Sequence, residues 1–210
     1  MTTPAAAPVV ALYRGRLAAV EARNLVQLAR LWQAFDPALP LPTLAAVGAP
    51  AAVLVTVAQA AFMAEALVYL QSLYAAASGA PLAGVAPFTA PAGVTGWTAA
   101  GAPVPALTTF APSVYAARLA TGRFTEAEAA ESALAYLRSL VVSEPYRAAN
   151  ETVLFNARAD GRLTGRVNRV TEPGACPFCL LIADRGYIPE HAGFAAHRNC
   201  RCTAAPEVTA

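Results

Sequence analysis

Gly174-Ala175-Cys176-Pro177-Phe178-Cys179 and, past a short linker, His197-Arg198-Asn199-Cys200-Arg201-Cys202 are the stretches on which the reading of this chain turns. They hold all four of its cysteines and one of its two histidines. Soft, metal-preferring side chains grouped in this way point to a bound ion. A Cys-x-x-Cys turn sets two sulfurs close enough to share one tetrahedral zinc, and the second stretch must supply the other two ligands. His197, Cys200 and Cys202 offer three. If the backbone is extended there, Cys200 and Cys202 face the same side. If His197 to Cys200 is a tight turn, those two form the pair. Cys176, Cys179, His197 and Cys200 are the favoured set, with Cys202 a close substitute, and spacing alone leaves the choice open.

Upstream of the cysteines the pattern is an alternation, Leu163, Val167 and Val170 against Arg162, Arg166 and Arg169, which reads as a strand or hairpin. Most of the chain before it reads as helix. Leu17, Val20, Leu28, Leu31 and Phe35 recur at three- and four-residue steps and predict a helix over 9–35. Pro37, Pro40 and Pro42 end it. A second helix is expected over 51–77, carrying Leu54, Val57, Phe62, Leu67, Leu70 and Leu73 and stopping before Gly79. The stretch 81–105, rich in proline, glycine and alanine, reads as an arm, a clamp or a disordered linker. Thr125 and Glu128 form a capping-box signature that opens a helix burying Leu134, Leu137 and Val141, with a break expected at Pro145. The expected class is therefore mostly α with a small C-terminal α+β module, a Cys/His-stapled β-hairpin and a short helix. The expected division is a helical scaffold over 1–110, a helical core over 111–160 and the cysteine module over 161–210.

Composition narrows the function. Every basic residue is an arginine and the net charge is only +2, so no polybasic tail announces non-specific nucleic-acid binding. On the first helix Arg16, Arg23 and Arg30 repeat every seven residues as a basic stripe. Its commonest meaning is a solvated face; its sharper meaning, shared with Arg198 and Arg201, is contact with DNA phosphate or an acidic partner. The first residues lack the basic region and apolar run of a secretory signal, which favours a reducing cytoplasm and metal ligation over disulfides. Leu44 to Ala64 is apolar enough to raise a membrane span, but Pro50, Gln59 and the lack of flanking arginines favour a buried helix, and no membrane is expected.

Three other meanings of the cysteines compete. Cys176-Pro177-Phe178-Cys179 looks like a glutaredoxin dithiol, but that motif belongs early in an α/β fold. Zinc deaminases need a His-x-Glu upstream, and no histidine precedes Cys176. Paired disulfides would staple the same module without metal. Catalysis finds little support. A serine protease would need His191 or His197 with a distant Ser132 or Ser143, which no local motif supports. A zinc-stapled DNA-binding module would carry denser basic character. Phe178, Leu180, Leu181, Tyr187 and Phe194 are expected to pack around the metal as a miniature core, with Arg185, Arg198 and Arg201 outside.

From Val167 to Pro206, through Cys176-Pro177-Phe178-Cys179, a short helical run, Arg185-Gly186-Tyr187 and the His-x-x-Cys-Arg-Cys ending, the chain resembles the C-terminal signature of phage Mu F-like minor capsid proteins, also called head morphogenesis proteins. The flavour of the motif and the skewed composition are similar to versions in tailed phages and prophages of GC-rich actinobacteria. The resemblance implies a non-enzymatic virion protein, made in the host cytoplasm and seated in the capsid interior or at the portal vertex. Its partners would be the portal and major capsid proteins and packaged DNA, with no small-molecule substrate. Its role would be in head assembly or DNA packaging, and its cofactor a structural zinc.

Overall fold

The computed structural model describes residues 6–98, 100–189, 192–194 and 199–209. Helix α1 spans Ala6–Trp32 and buries Leu17, Val20 and Leu28, while Leu31 and Phe35 are half-buried. Helix α2, Pro40–Ser78, starts well before the expected position. Pro40 and Pro42 do not hold it back, because the first turn of a helix has no acceptors for its N–H groups and loses nothing to proline. Pro50 lies inside α2 and leaves only the Ala46 carbonyl without its helical donor. The helix stops at Gly79, whose φ of 71° closes the C-terminus in the left-handed region.

By length and composition α2 could cross a bilayer, with a mean hydropathy of 1.9 over its most apolar window. Here it packs between α1 and the long helix α5, Glu126–Ala159. Val57, expected inside, is 61% exposed, because the apolar run of α2 is wider than the two faces its neighbours cover. The Thr125–Glu128 box caps α5, with the Thr125 N–H donating to Glu128 Oε2 at 2.8 Å and the Glu128 N–H to Thr125 Oγ1 at 3.3 Å. The break expected at Pro145 does not occur. Helix α5 runs through it, with Val141, Glu144, Pro145 and Tyr146 all buried, so packing on the surrounding turns outweighs one missing hydrogen bond. Two short helices, α3 (Val104–Thr108) and α4 (Ala111–Ala120), complete the far end. There a Cβ on Gly48 would lie 2.9 Å from the Thr108 carbonyl oxygen, so only glycine lets α2 approach α3 this closely.

The stretch 81–105 is bound to the bundle rather than extended from it. Buried Gln59 donates to the Trp97 carbonyl at 2.9 Å and accepts from the Gly96 N–H at 2.7 Å. Asn156 does the same for Thr89, at 2.8 and 3.0 Å, and Arg147 donates to the Val94 and Trp97 carbonyls. With Val85, Phe88 and Val104 buried, this irregular backbone is satisfied by side chains of α2 and α5.

Strand β1, Leu163–Val170, pairs antiparallel with β2, Thr203–Val208, in the register Val167↔Pro206, Arg169↔Ala204 and Val170↔Thr203. This is not a hairpin, since helix α6, Pro177–Asp184, and the cysteine loops come between the strands. A register shift between Leu163 and Val167 falls at Gly165, whose φ of 77° suits a bulge.

Two cores result. One joins Leu28, Leu44, Val47, Val55, Ala133, Leu137 and Val141 at the far end. The other joins Leu17, Phe62, Tyr69, Tyr146 and Val153 to Val167, Cys179, Phe194, Cys200 and Cys202. This second core draws on all three expected chain segments, so packing runs across the boundaries at 110 and 160.

Candidate metal centre

The site is assembled at the second core by three short pieces of chain. Cys176 is the N-cap of α6, with its Sγ accepting the Cys179 N–H at 3.4 Å, and Pro177 occupies the first turn. That geometry turns Cys179 inward, where it is buried, while Cys176 is half-buried. On the other side Asn199 takes a φ of 59°, which asparagine tolerates better than most residues, and its N–H donates to Ser143 Oγ on α5 at 2.8 Å. Cys200 and Cys202 are then buried, and Arg201 between them is half-buried. Arg201 meets the buried carboxylate of Glu21 on α1 in a two-pronged ion pair, with Nε 2.9 Å from both oxygens and Nη2 2.6 Å from Oε1. Its Nη1 lies 3.9 Å from Glu172. Buried Asn150 of α5 ties down the start of β2, donating to the Cys202 carbonyl at 3.0 Å and accepting from the Ala204 N–H at 2.8 Å.

The sulfurs of Cys179, Cys200 and Cys202 lie within 4.8 Å of one another, and those of Cys179 and Cys200 are 3.6 Å apart. A zinc–thiolate bond of about 2.3 Å gives tetrahedral sulfur–sulfur edges of about 3.8 Å, so the donor set and its spacing fit such an ion. The guanidinium of Arg169, 6% exposed, brings Nη1 to 3.8 Å from both Cys179 Sγ and Cys200 Sγ, with the ring centroid of Phe194 3.9 Å away. The electrostatics of the cluster are uneven. Hydrogen bonds from Cys200 first, and also from Cys179, the Glu172 backbone and Arg169, outweigh burial and hold the Cys202 thiol down at about 5. Cys200, which donates to Cys202 and is buried, is driven far up. Burial first, then Cys202, pushes Cys179 up to about 11. Cys202 is thus the most readily ionised of the three sulfurs, and metal uptake would displace the protons of the others.

Of the expected ligands, Cys179, Cys200 and Cys202 come together, Cys176 caps the adjoining helix, and His197 lies outside the described residues. Cys202, the substitute by spacing, is a full member of the cluster. Arg198 also lies outside the described residues. Arg23 and Arg30 are exposed on α1, and Arg16, also exposed, lies 3.5 Å from Glu65. The miniature core takes a different form: Phe194 is buried, but Phe178, Leu180, Leu181 and Tyr187 are 40–54% exposed. On α6 the reason is that the helix turns Cys179 inward and leaves Phe178, Leu180 and Leu181 toward solvent, so the sulfurs share the core of the helical bundle instead of building their own. The serines weighed for catalysis are both engaged, Ser143 with the Asn199 N–H and Ser132 as donor to the Glu128 carbonyl.

Glu21, Ser143, Asn150 and Arg169 were not foreseen as parts of the site. For the first three no local signal exists, because an isolated polar residue on a helix looks the same whether it is solvated or paired. Arg169 did carry one, since it shares strand parity with the buried Val167.

The VG15 protein family matches residues 4–209. The chain belongs to that family. Membership makes the protein a phage gene product, of the virion or the infected cell. The match covers helical body and cysteine centre together, in keeping with the core they share, and it is to VG15 rather than to the Mu F-like type that the C-terminal motif resembles. No curated protein and no solved structure matches the chain.

Proposed function

We propose that this VG15 protein is a non-enzymatic structural component of the phage head, a minor capsid or head morphogenesis protein that works beside the portal during head assembly or DNA packaging. The observation that carries the reading is the cysteine centre buried in the helical core and braced from α1 by Glu21 and from α5 by Ser143 and Asn150. Cys179, Cys200 and Cys202 would hold a structural zinc, with Cys176 or His197 as candidates for the remaining position. Zinc supplies a redox-inert cross-link, and its binding free energy adds to folding free energy. This chain's residues do the rest. Arg201 and Glu21 lock the ligand loop to α1, Asn150 anchors β2, and the sulfurs join the last forty residues to the scaffold that meets other head proteins. The exposed Arg16, Arg23 and Arg30 stripe is the surface we assign to DNA or an acidic head protein.

The test pairs two measurements. Elemental mass spectrometry of the purified protein is expected to find about one zinc per chain, lost in Cys200→Ser. Phage lacking the gene is expected to yield few filled heads, and the protein is expected in purified heads at low copy. Its absence from both proheads and finished virions would overturn the assignment.

A further inference from the structure

We propose that Arg169 is the built-in counter-cation of the cysteine centre, a positioning residue that sets how tightly the site holds its metal; this rests on reading the cysteines as metal ligands. Burial of a guanidinium costs several kcal/mol unless an anion faces it. Here Nη1 is equidistant from two sulfurs, at 3.8 Å from each. Neutral thiols are weak acceptors, whereas thiolates accept strongly from charged donors, so this placement suits an anionic cluster. Three or four thiolates on a divalent cation leave a net charge of −1 or −2, which one guanidinium offsets in whole or in half.

The fold prepares the position. Arg169 pairs across the sheet with Ala204, whose small side chain leaves the face open. Cys202, two residues before Ala204, stands on that same face. The ring of Phe194 covers the guanidinium at 3.9 Å and is itself buried, which keeps water from the charge and leaves the N–H edges for sulfur. Arginine suits the task better than lysine because its guanidinium is more weakly hydrated, so it is less costly to bury, and its plane stacks on the Phe194 ring.

Arg169→Lys and Arg169→Gln in the full chain separate charge from hydrogen bonding. Zinc affinity is read by competition with a chromogenic chelator, the ligand field by cobalt substitution, and folding by circular dichroism. Arg169→Gln is expected to bind zinc about 10–100-fold more weakly, the usual effect of losing an outer-shell partner. It should also shift the sulfur-to-cobalt charge-transfer band. Arg169→Lys is expected to fall between Gln and wild type. Equal affinity and an unchanged cobalt spectrum in wild type, Lys and Gln would overturn the role of Arg169 while leaving the zinc centre standing. A wild-type chain that takes up neither zinc nor cobalt would sink both.

Discussion

The two cores of this molecule are built on different principles. At the far end Leu44, Val47, Ala51, Val55, Ala133 and Leu137 meet along α2 and α5, with Gly48 and the alanines allowing close approach. Almost everything buried there is aliphatic, and its order comes from helical periodicity and shape. At the cysteine end the core contains Tyr13, Phe62, Tyr69, Tyr146 and Phe194 alongside three thiols, with Asn150, Glu21 and Arg169 buried among them. There Asn150, Glu21 and Arg169 each meet a partner at a set distance. A core of methyl groups degrades gradually when one is removed. A core of paired polar groups loses a whole network, because an orphaned partner remains buried.

Removal of metal is the strongest way to break the comparison. Chelation is expected to cost about 4 kcal/mol, the linkage expected at free zinc about a thousandfold above the dissociation constant. The midpoint of thermal unfolding should fall by about 8–16 °C for a chain of this size. Hydrogen exchange should then speed up in α6, 199–209 and β1 while α4 and the start of α5 keep their protection. Uniform loss of protection would mean that the two cores are one cooperative unit.

Next comes Leu137→Ala, which truncates a side chain that is 1% exposed at the far end. It is expected to cost about 2–5 kcal/mol by denaturant titration, yet to leave zinc stoichiometry and affinity unchanged. A weakened zinc site would show that the far core reaches the sulfurs. Asn150→Ala works in the opposite sense. It strands the Cys202 carbonyl and the Ala204 N–H, and it should cost about 1–3 kcal/mol together with a measurable loss of zinc affinity.

The smallest effect is on alkaline stability. Burial, chiefly, raises the Tyr13, Tyr69 and Tyr146 hydroxyls above their ordinary value of 10.0, with Glu21 adding to the rise at Tyr146. The folded chain therefore keeps these protons where the unfolded chain releases them. Their contribution is whole below about pH 10 and declines as pH rises beyond it. Tyr146→Phe should flatten that decline in urea titrations run at successive alkaline pH values. An unchanged slope would show that Tyr146 ionises in the folded state as it does in the unfolded chain.

The helices were legible because their determinants are local. The Thr125–Glu128 box starts α5 where the spacing says, and Leu134, Leu137 and Val141 are buried as their periodicity requires. Gly79 ends α2 because a left-handed residue is needed there. The grouping of cysteines near the C-terminus was equally open to reading, whereas spacing left open whether His197 or Cys202 joins Cys200. What misled was local signal overruled from a distance. Pro145 is a helix breaker in isolation, but the packed turns around it hold α5 straight through, and Gln59, Arg147 and Asn156 turn a composition typical of a free arm into backbone bound along the bundle.

Residue order along the chain settles that the body is mainly helical, where α5 is capped and α2 ends, and that the C-terminus carries soft ligands, since propensity, capping and parity act within a few residues. Only the tertiary structure decides that Glu21, from the first helix, holds Arg201, that Asn150 replaces a strand partner for β2, and that Arg169 lies against the sulfurs instead of in water. Those pairings join residues distant in sequence. The free energy that selects them, removal of charge and hydrogen-bonding groups from water, exists only once the core has closed around them.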